Sequence, residues 1–195
     1  EPTGMQPAIA ERGLMVLDCI VYGKAGHAAR NEGENAIYKA FKDVEWFRTY
    51  KFPQKSELLG EVKMSVTQIN AGYQHNIIPD KCTFVVDVRS NEKYSNGELL
   101  KIIVENTDCE VKARSTRLSS SFTPPDHPFL IKAIKLKLIP YGSPTLSDQA
   151  LISCPSVKIG PGDSARSHTS DEYIMFSEIE HAIELYVKIL DGLKI

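Results

Sequence analysis

The sequence predicts a mixed α/β (α+β) chain in two parts, and three observations predict it. Short runs in which apolar residues alternate, such as Val62, Met64 and Val66, read as strands, and longer stretches with apolar residues every three or four positions read as helices. Between residues 14 and 115 these segments follow the order β-α-β-β-α-β, the ferredoxin-like split-βαβ pattern of an antiparallel sheet with helices on one face. Beyond Ser119-Ser120-Ser121-Phe122-Thr123-Pro124-Pro125 the rhythm changes to helices and loops with few strands. That last segment would bury too little apolar surface alone, so it reads as one half of a larger α/β domain.

Each element has its own signal. Leu14 to Tyr22 is a nearly unbroken apolar run, a buried strand, ended by Gly23-Lys24-Ala25-Gly26. A helix is predicted from about Asn35 to Tyr50, with Ile37, Phe41, Val44 and Phe47 sharing one face. Val62 to Val66 is a half-buried strand, Asn70 to Pro79 a polar loop longer than a hairpin needs, and Cys82 to Val88 a further strand. Leu99, Leu100 and Ile103 mark a helix from about Gly97 to Glu105, and Glu110 to Arg114 closes the pattern as a strand. In the second part a helix is predicted over 128–138, then a Gly/Pro/Ser-rich loop over 141–147, a short helical segment and a strand end at Val157-Lys158-Ile159. The last helix begins at Ser177, with Glu180 completing a capping box, and buries Ile179, Ile183, Tyr186 and Leu190.

Composition narrows the function. A net charge of −2 creates no basic field, so nucleic acid is not an implied partner. No apolar run approaches the roughly 18 residues that span a bilayer. Cys19, Cys82, Cys109 and Cys154 form no C-x-x-C pair, which argues against a zinc ribbon, and Cys19 and Cys82 read as small core residues. With no signal peptide visible, a reducing compartment, the cytoplasm, is expected. The chain opens at Glu1 without methionine, so a piece of a longer protein is expected.

Four motifs could carry chemistry. Gly160-Pro161-Gly162-Asp163-Ser164-Ala165-Arg166-Ser167-His168-Thr169-Ser170-Asp171-Glu172 follows the strand end at Ile159, where rigid scaffolds place reactive groups. His168 among carboxylates is a candidate metal ligand or a solvated turn histidine. Gly23-x-x-Gly26-His27-Ala28-Ala29 places a histidine between a strand and a helix, where it could also serve only as a cap. Asn76-Ile77-Ile78-Pro79 precedes a strand that ends in Asp87-Val88-Arg89, and Asn76 could be a plain turn former. Gly142-Ser143-Pro144-Thr145-Leu146-Ser147-Asp148 could be an ordinary helix start. His75, His127 and His181 read as structural or surface residues.

Taken together and in this order, the motifs resemble the co-catalytic zinc amidohydrolases, the family of acetylornithine deacetylase, succinyl-diaminopimelate desuccinylase, aminoacylase and related carboxypeptidases. The shared elements are G-x-x-G-H-A, G-E-N-A-I, N-I-I-P, D-V-R, S-D-Q-A-L and G-P-G-D-S-A-R-S-H-T-S-D-E, and the last is nearest to the acetylornithine deacetylase branch. Glu1-Pro2-Thr3 matches the end of the family's G-E-P-T motif. The resemblance implies residues 1–10 as the end of a first catalytic segment, 11–118 as a ferredoxin-like lid or dimerisation domain, and 119–195 as the C-terminal segment of a zinc-peptidase-like catalytic domain.

It further implies two divalent metal ions, zinc by the family's habit, with Glu1 a ligand of one and His168 of the other. The remaining ligands and the general-base glutamate are expected upstream of residue 1. His27 matches the histidine that stabilises the oxyanion from the partner subunit's lid, and Asn76 an asparagine that binds substrate across the dimer. Arg89 matches an arginine that holds the substrate carboxylate, while Gly142, Ser143, Thr145, Ser147, Gly160 and Pro161 line the pocket. The implied reaction is hydrolysis of an N-acyl amino acid, acetylornithine-like, by a homodimer joined through its lids. A dipeptidase or carboxypeptidase of the same family, and a non-catalytic dimerisation and substrate-binding fragment, stand as the alternatives.

Overall fold

A computed structural model describes residues 1–30 and 32–194. In it the chain divides into two units, one built from residues 1–12 and 121–195 and the other from residues 13–120. The expected segments were 1–10, 11–118 and 119–195.

In chain order the strands and helices up to residue 120 are β1 (Ala8–Glu11), β2 (Met15–Tyr22), β3 (Gly26–His27), α1 (Ala36–Thr49), β4 (Lys63–Ala71), β5 (Ile77–Ile78), β6 (Lys81–Arg89), α2 (Asn96–Asn106) and β7 (Glu110–Ala113). The 13–120 unit carries the predicted β-α-β-β-α-β order, with the short β3–β5 pair added between its strands. Its sheet runs β4-β6-β2-β7 and is antiparallel throughout. Alternation sets one face: Met15, Leu17, Cys19 and Val21 of β2 lie opposite Val88, Val86, Phe84 and Cys82 of β6, and all eight are buried. Leu99 and Ile103 of α2 pack into the same core, below a cap in which Ser95 Oγ accepts from the Glu98 amide and Glu98 accepts from the Ser95 amide.

Helix α1 corrects the expected stripe. Its buried residues are Ala36, Ala40, Asp43 and Phe47, whereas Phe41 is 58% exposed and Ile37 and Val44 are half-buried. The stripe is rotated because two alanines, whose small side chains admit the sheet closely, take the inward positions. Asp43 joins them by accepting the Asp108 amide at 2.9 Å. Strand β4 extends past the predicted Val66 to Ala71, because a bulge between Val66 and Gln68 breaks the alternation the sequence shows.

The other unit contains β1, β8 (Ser121–Phe122), α3 (Pro128–Lys135), β9 (Tyr141–Ser143) and α4 (Phe176–Leu190). Its sheet runs β8-β1-β9, with β1 antiparallel to β8, parallel to β9 and buried along its whole length. Helix α3 starts as expected at Pro128, with His127 Nδ1 accepting the Phe129 amide, but ends at Lys135, and Lys137 follows at φ +65°. The predicted strand at 157–159 reduces to a single antiparallel bridge, Lys158 to Ala8, with paired amide bonds of 2.8 and 3.0 Å. The first residues of the expected 141–147 loop form β9 instead.

Helix α4 overturns two expectations. It starts at Phe176, and Glu178, not Glu180, folds back to accept the Met175 amide at 2.9 Å. Its buried residues are Ala182, Leu185 and Ile189, packed with Met5, Phe129, Leu138 and Ile159, while Ile183 and Leu190 are more than half exposed. The helix is apolar on two faces, and periodicity alone does not say which one packs.

Candidate active site

The unit formed by residues 1–12 and 121–195 brings the two expected metal ligands to one place. Glu1-Pro2-Thr3 lies against Gly160 by backbone contact. The Gly160 carbonyl accepts from the amides of Thr3 and Met5 at 3.1 and 3.0 Å, and the Gly160 amide donates to Thr3 Oγ1 at 3.1 Å. A side chain at residue 160 has no room: a Cβ there would sit 2.4 Å from the Glu1 carbonyl oxygen. The loop then turns through Gly162 at φ +87° to the Ser164–Arg166 turn, capped by Asp163, and reaches His168 at φ +61°. A non-glycine residue in that conformation is uncommon and is held by its surroundings. Here Glu172 accepts the His168 amide at 3.1 Å, and Arg166 pairs with Glu178 at 2.8 Å while lying over the Tyr173 ring.

Glu1 and His168 line one cavity of about 280 Å³ together with Ser143, Thr145 and Lys158. Pro161 lines an adjoining cavity with Glu1. Gly142, Ser147 and Gly160 act one layer back. Gly142 pairs with Ala10 in the sheet, Ser147 donates its amide to Glu11 at 3.0 Å, and Gly160 seats the Glu1 segment.

Lys158 brings a buried ion pair into the cavity wall. Lys158 Nζ meets Glu11 Oε1 at 2.5 Å, with side chains 8% and 2% exposed. The ammonium also donates to Ser143 Oγ at 3.1 Å and Thr145 Oγ1 at 3.2 Å. Neither Lys158 nor Glu11 was expected from sequence. The only cue was an unlike charge in each of two apolar segments, Ala8-Ile9-Ala10-Glu11 and Val157-Lys158-Ile159.

In the 13–120 unit, the β3–β5 pairing sets His27 opposite Ile77, and the Ala28 amide donates to the Asn76 carbonyl at 3.0 Å. His27 and Asn76 are thereby brought together. His27 Nδ1 accepts the Ala29 amide at 3.1 Å, which assigns the neutral ring's proton to Nε2 and makes that exposed atom a donor. Arg89 is not brought to this pair. It stands at the opposite end of β6, its guanidinium fork closed on Asp87 at 2.7 and 3.0 Å.

Residues 9–113, more than half of the chain, match the peptidase dimerisation domain of the M20 family. The chain belongs to the M20 family. It is 24% identical to a succinyl-diaminopimelate desuccinylase of Wolbachia pipientis over 98% of this chain and 52% of that protein. It is 27% identical to a [LysW]-lysine/[LysW]-ornithine hydrolase of Sulfurisphaera tokodaii, over 99% and 57%, and 27% to an acetylornithine deacetylase of Proteus mirabilis, over 98% and 54%. This M20 chain thus spans about half the length of the curated relatives it matches. The crystal structure of a Bacillus cereus aminopeptidase shares the fold, with a TM-score of 0.73 at 20% identity over 97% of this chain and 54% of that one.

The M20 fold raises the question of a metal. Carboxylate oxygen and imidazole nitrogen are both zinc donors, and Glu1 and His168 face the same cavity, so the donor types fit. Among the described residues no group of three His, Cys, Asp or Glu side chains is placed to hold an ion, so this pair supplies part of a coordination sphere. Among the described residues no helix is long and apolar enough to cross a membrane.

Proposed function

We propose that this chain is the lid and C-terminal catalytic segment of a metal-dependent amidohydrolase that removes the acyl group from an N-acyl amino acid, with an acetylornithine-like substrate. The convergence of Glu1 and His168 on one cavity with a hydroxyl-bearing wall carries this reading. Relatives named as a desuccinylase and a deacetylase support the reaction class.

In this reading Glu1 and His168 hold two divalent ions, zinc in the first instance, together with donors from elsewhere in the protein. When bound, such ions acidify a water and polarise the acyl carbonyl. The chain's own residues do the rest. Ser143, Thr145 and Pro161 shape the pocket, and Gly142, Ser147 and Gly160 hold its loops. His27 offers Nε2–H to the oxyanion that develops on the acyl oxygen, and Asn76 beside it binds substrate. Both act across a homodimer formed through the lids. Arg89 as the substrate-carboxylate anchor requires its Asp87 pair to open. Four free thiols, three of them buried, suit a reducing compartment such as the cytoplasm.

The test is hydrolysis of N-acetylornithine, N-succinylornithine and a dipeptide by the family-length polypeptide, with zinc and after chelation. Metal-dependent release of ornithine is expected. Faster cleavage of the dipeptide would favour the peptidase reading, and zinc-independent turnover would refute the metal role.

A further inference from the structure

The ion pair in the cavity wall fixes which way one hydroxyl proton points. Lys158 Nζ has three hydrogens and no lone pair. Two of them go to Ser143 Oγ and Thr145 Oγ1, while the ammonium is held in an ion pair with Glu11 Oε1. Ser143 Oγ accepts from Lys158 and, at 3.4 Å, from the Thr145 amide, which occupies both of its acceptor positions. Ser143 is 3% exposed, and among the described residues the contact left for its own proton is Thr145 Oγ1 at 2.9 Å. Ser143 is therefore the donor in that contact. Thr145 Oγ1 then accepts twice, from Lys158 and from Ser143, and has only its proton left to give. Thr145 is exposed and lines the cavity that holds Glu1 and His168.

We propose that Thr145 is a specificity-determining donor for the ligand of this cavity, and that Lys158 seated on Glu11 is the positioning residue that makes it donor-only. The hydroxyl meets an acceptor oxygen, the carboxylate or acyl carbonyl of an N-acyl amino acid, and refuses an ammonium group at the same point. A hydroxyl that has both lone pairs filled, one by a charge-assisted bond, is polarised toward donation. The assignment of the ligand as an N-acyl amino acid rests on the function proposed above, while the donor-only state of Thr145 does not.

The test uses the metal-free 195-residue chain and small probes followed by amide NMR shifts at Ser143, Thr145 and Leu146. N-methylacetamide offers a carbonyl, acetate a carboxylate and methylammonium only donors. Saturable shifts are expected with the acceptor probes and not with methylammonium. The stronger of N-methylacetamide and acetate tells which oxygen the site takes. Thr145→Val should weaken that binding roughly two- to tenfold, the worth of one neutral hydrogen bond, and Thr145→Ser should restore it. Lys158→Met paired with Glu11→Leu should erase the discrimination against methylammonium, because Thr145 could then donate to Ser143 and accept from the probe. Acceptor binding unchanged in Thr145→Val, equal response to methylammonium in the parent chain, or no response to any probe would overturn the proposal. Hydrolysis by the family-length protein is measured separately. If no N-acyl amino acid is cleaved while the NMR pattern holds, the function falls and the donor assignment stands.

Discussion

Replacing Gly160 by alanine isolates the contact on which the Glu1 segment depends. The new methyl would lie 2.4 Å from the Glu1 carbonyl oxygen, about 1 Å short of ordinary contact, and the obstacle is backbone rather than a flexible side-chain tip. The φ of residue 160 is not in the left-handed region, so alanine is tolerated locally and the whole penalty comes from the collision. Overpacking of this kind costs about 1–3 kcal/mol, against a gain of about 0.4–1 kcal/mol from the less flexible unfolded chain. The net loss is roughly 1–2 kcal/mol. With a urea dependence of about 1–3 kcal/mol per molar, the unfolding midpoint should fall by roughly 0.5–1 M. Relief by displacing Glu1 breaks the Thr3, Gly4 and Met5 amide bonds to Gly160 and Gly162. Gly97→Ala is the control: it sits exposed in the first turn of α2, where only Ser95 Oγ comes within 4.0 Å, and it should be neutral or stabilising. Urea titration followed by tryptophan-independent circular dichroism reads both variants. A Gly160→Ala midpoint equal to or above the parent's would refute the close approach, and with it the seating of Glu1 beside the His168 loop.

Three further outcomes follow from the packing. Lys158→Met alone strands the Glu11 carboxylate in the interior and should cost about 3–5 kcal/mol, whereas Lys158→Met with Glu11→Leu should recover most of it; equal losses in denaturation of the single and double variants would contradict the buried pair. Phe47→Ala, 2% exposed and edge-on to Phe84, should cost about 3–5 kcal/mol, while Phe41→Ala should stay within about 0.5 kcal/mol; the reverse order would restore the helix phase read from sequence. The Arg166 guanidinium, aided by the Met175 amide, holds the Glu178 carboxyl below its ordinary 4.5. A depressed folded pKa adds stability that is complete above the ordinary value and lost as pH falls through the folded one. The melting temperature should therefore drop more steeply below about pH 4.5 in the parent than in Glu178→Gln; parallel profiles would exclude the pair as a contributor.

What could be read from sequence follows from where the signal is strong. Strand β2 was legible because Leu14 to Tyr22 is a nearly unbroken apolar run, and α2 because Leu99, Leu100 and Ile103 share one face, of which Leu99 and Ile103 are buried. Helix α1 was misphased because the inward positions fall to Ala36, Ala40 and Asp43, which carry little or contrary hydrophobic weight. In α4 two apolar faces compete, and the packed one, Ala182-Leu185-Ile189, has the smaller residue at its head. At the site, Glu1 and His168 were legible from motifs, and the fold sets them on one cavity. His27 and Asn76 were read as separate motifs, and their approach depends on a two-residue strand pair that no periodicity announces. Lys158 and Glu11 escaped notice because an isolated charge in a strand reads as a solvent-facing residue, and burial is decided by a partner more than a hundred positions away.

The Glu11–Lys158 pair also poses a question that stability does not answer. Burying two opposite charges gains little over a well-packed apolar pair, and such replacements are often neutral or stabilising. A fold in need of only a filler between β1 and the Lys158 bridge would be served by leucine and methionine. Those residues would fill the space but leave Ser143 and Thr145 free to exchange donor and acceptor roles, since no ammonium would occupy their lone pairs. The charged pair removes that freedom at both hydroxyls, and on its other side Glu11 anchors the Ser147 amide and hydroxyl, fixing the far end of the same loop. Its distinctive product is a polar wall with one hydrogen-bonding sense. That sense suits a ligand presenting oxygen lone pairs, as an acyl carbonyl or a carboxylate does, in the cavity where Glu1 and His168 meet.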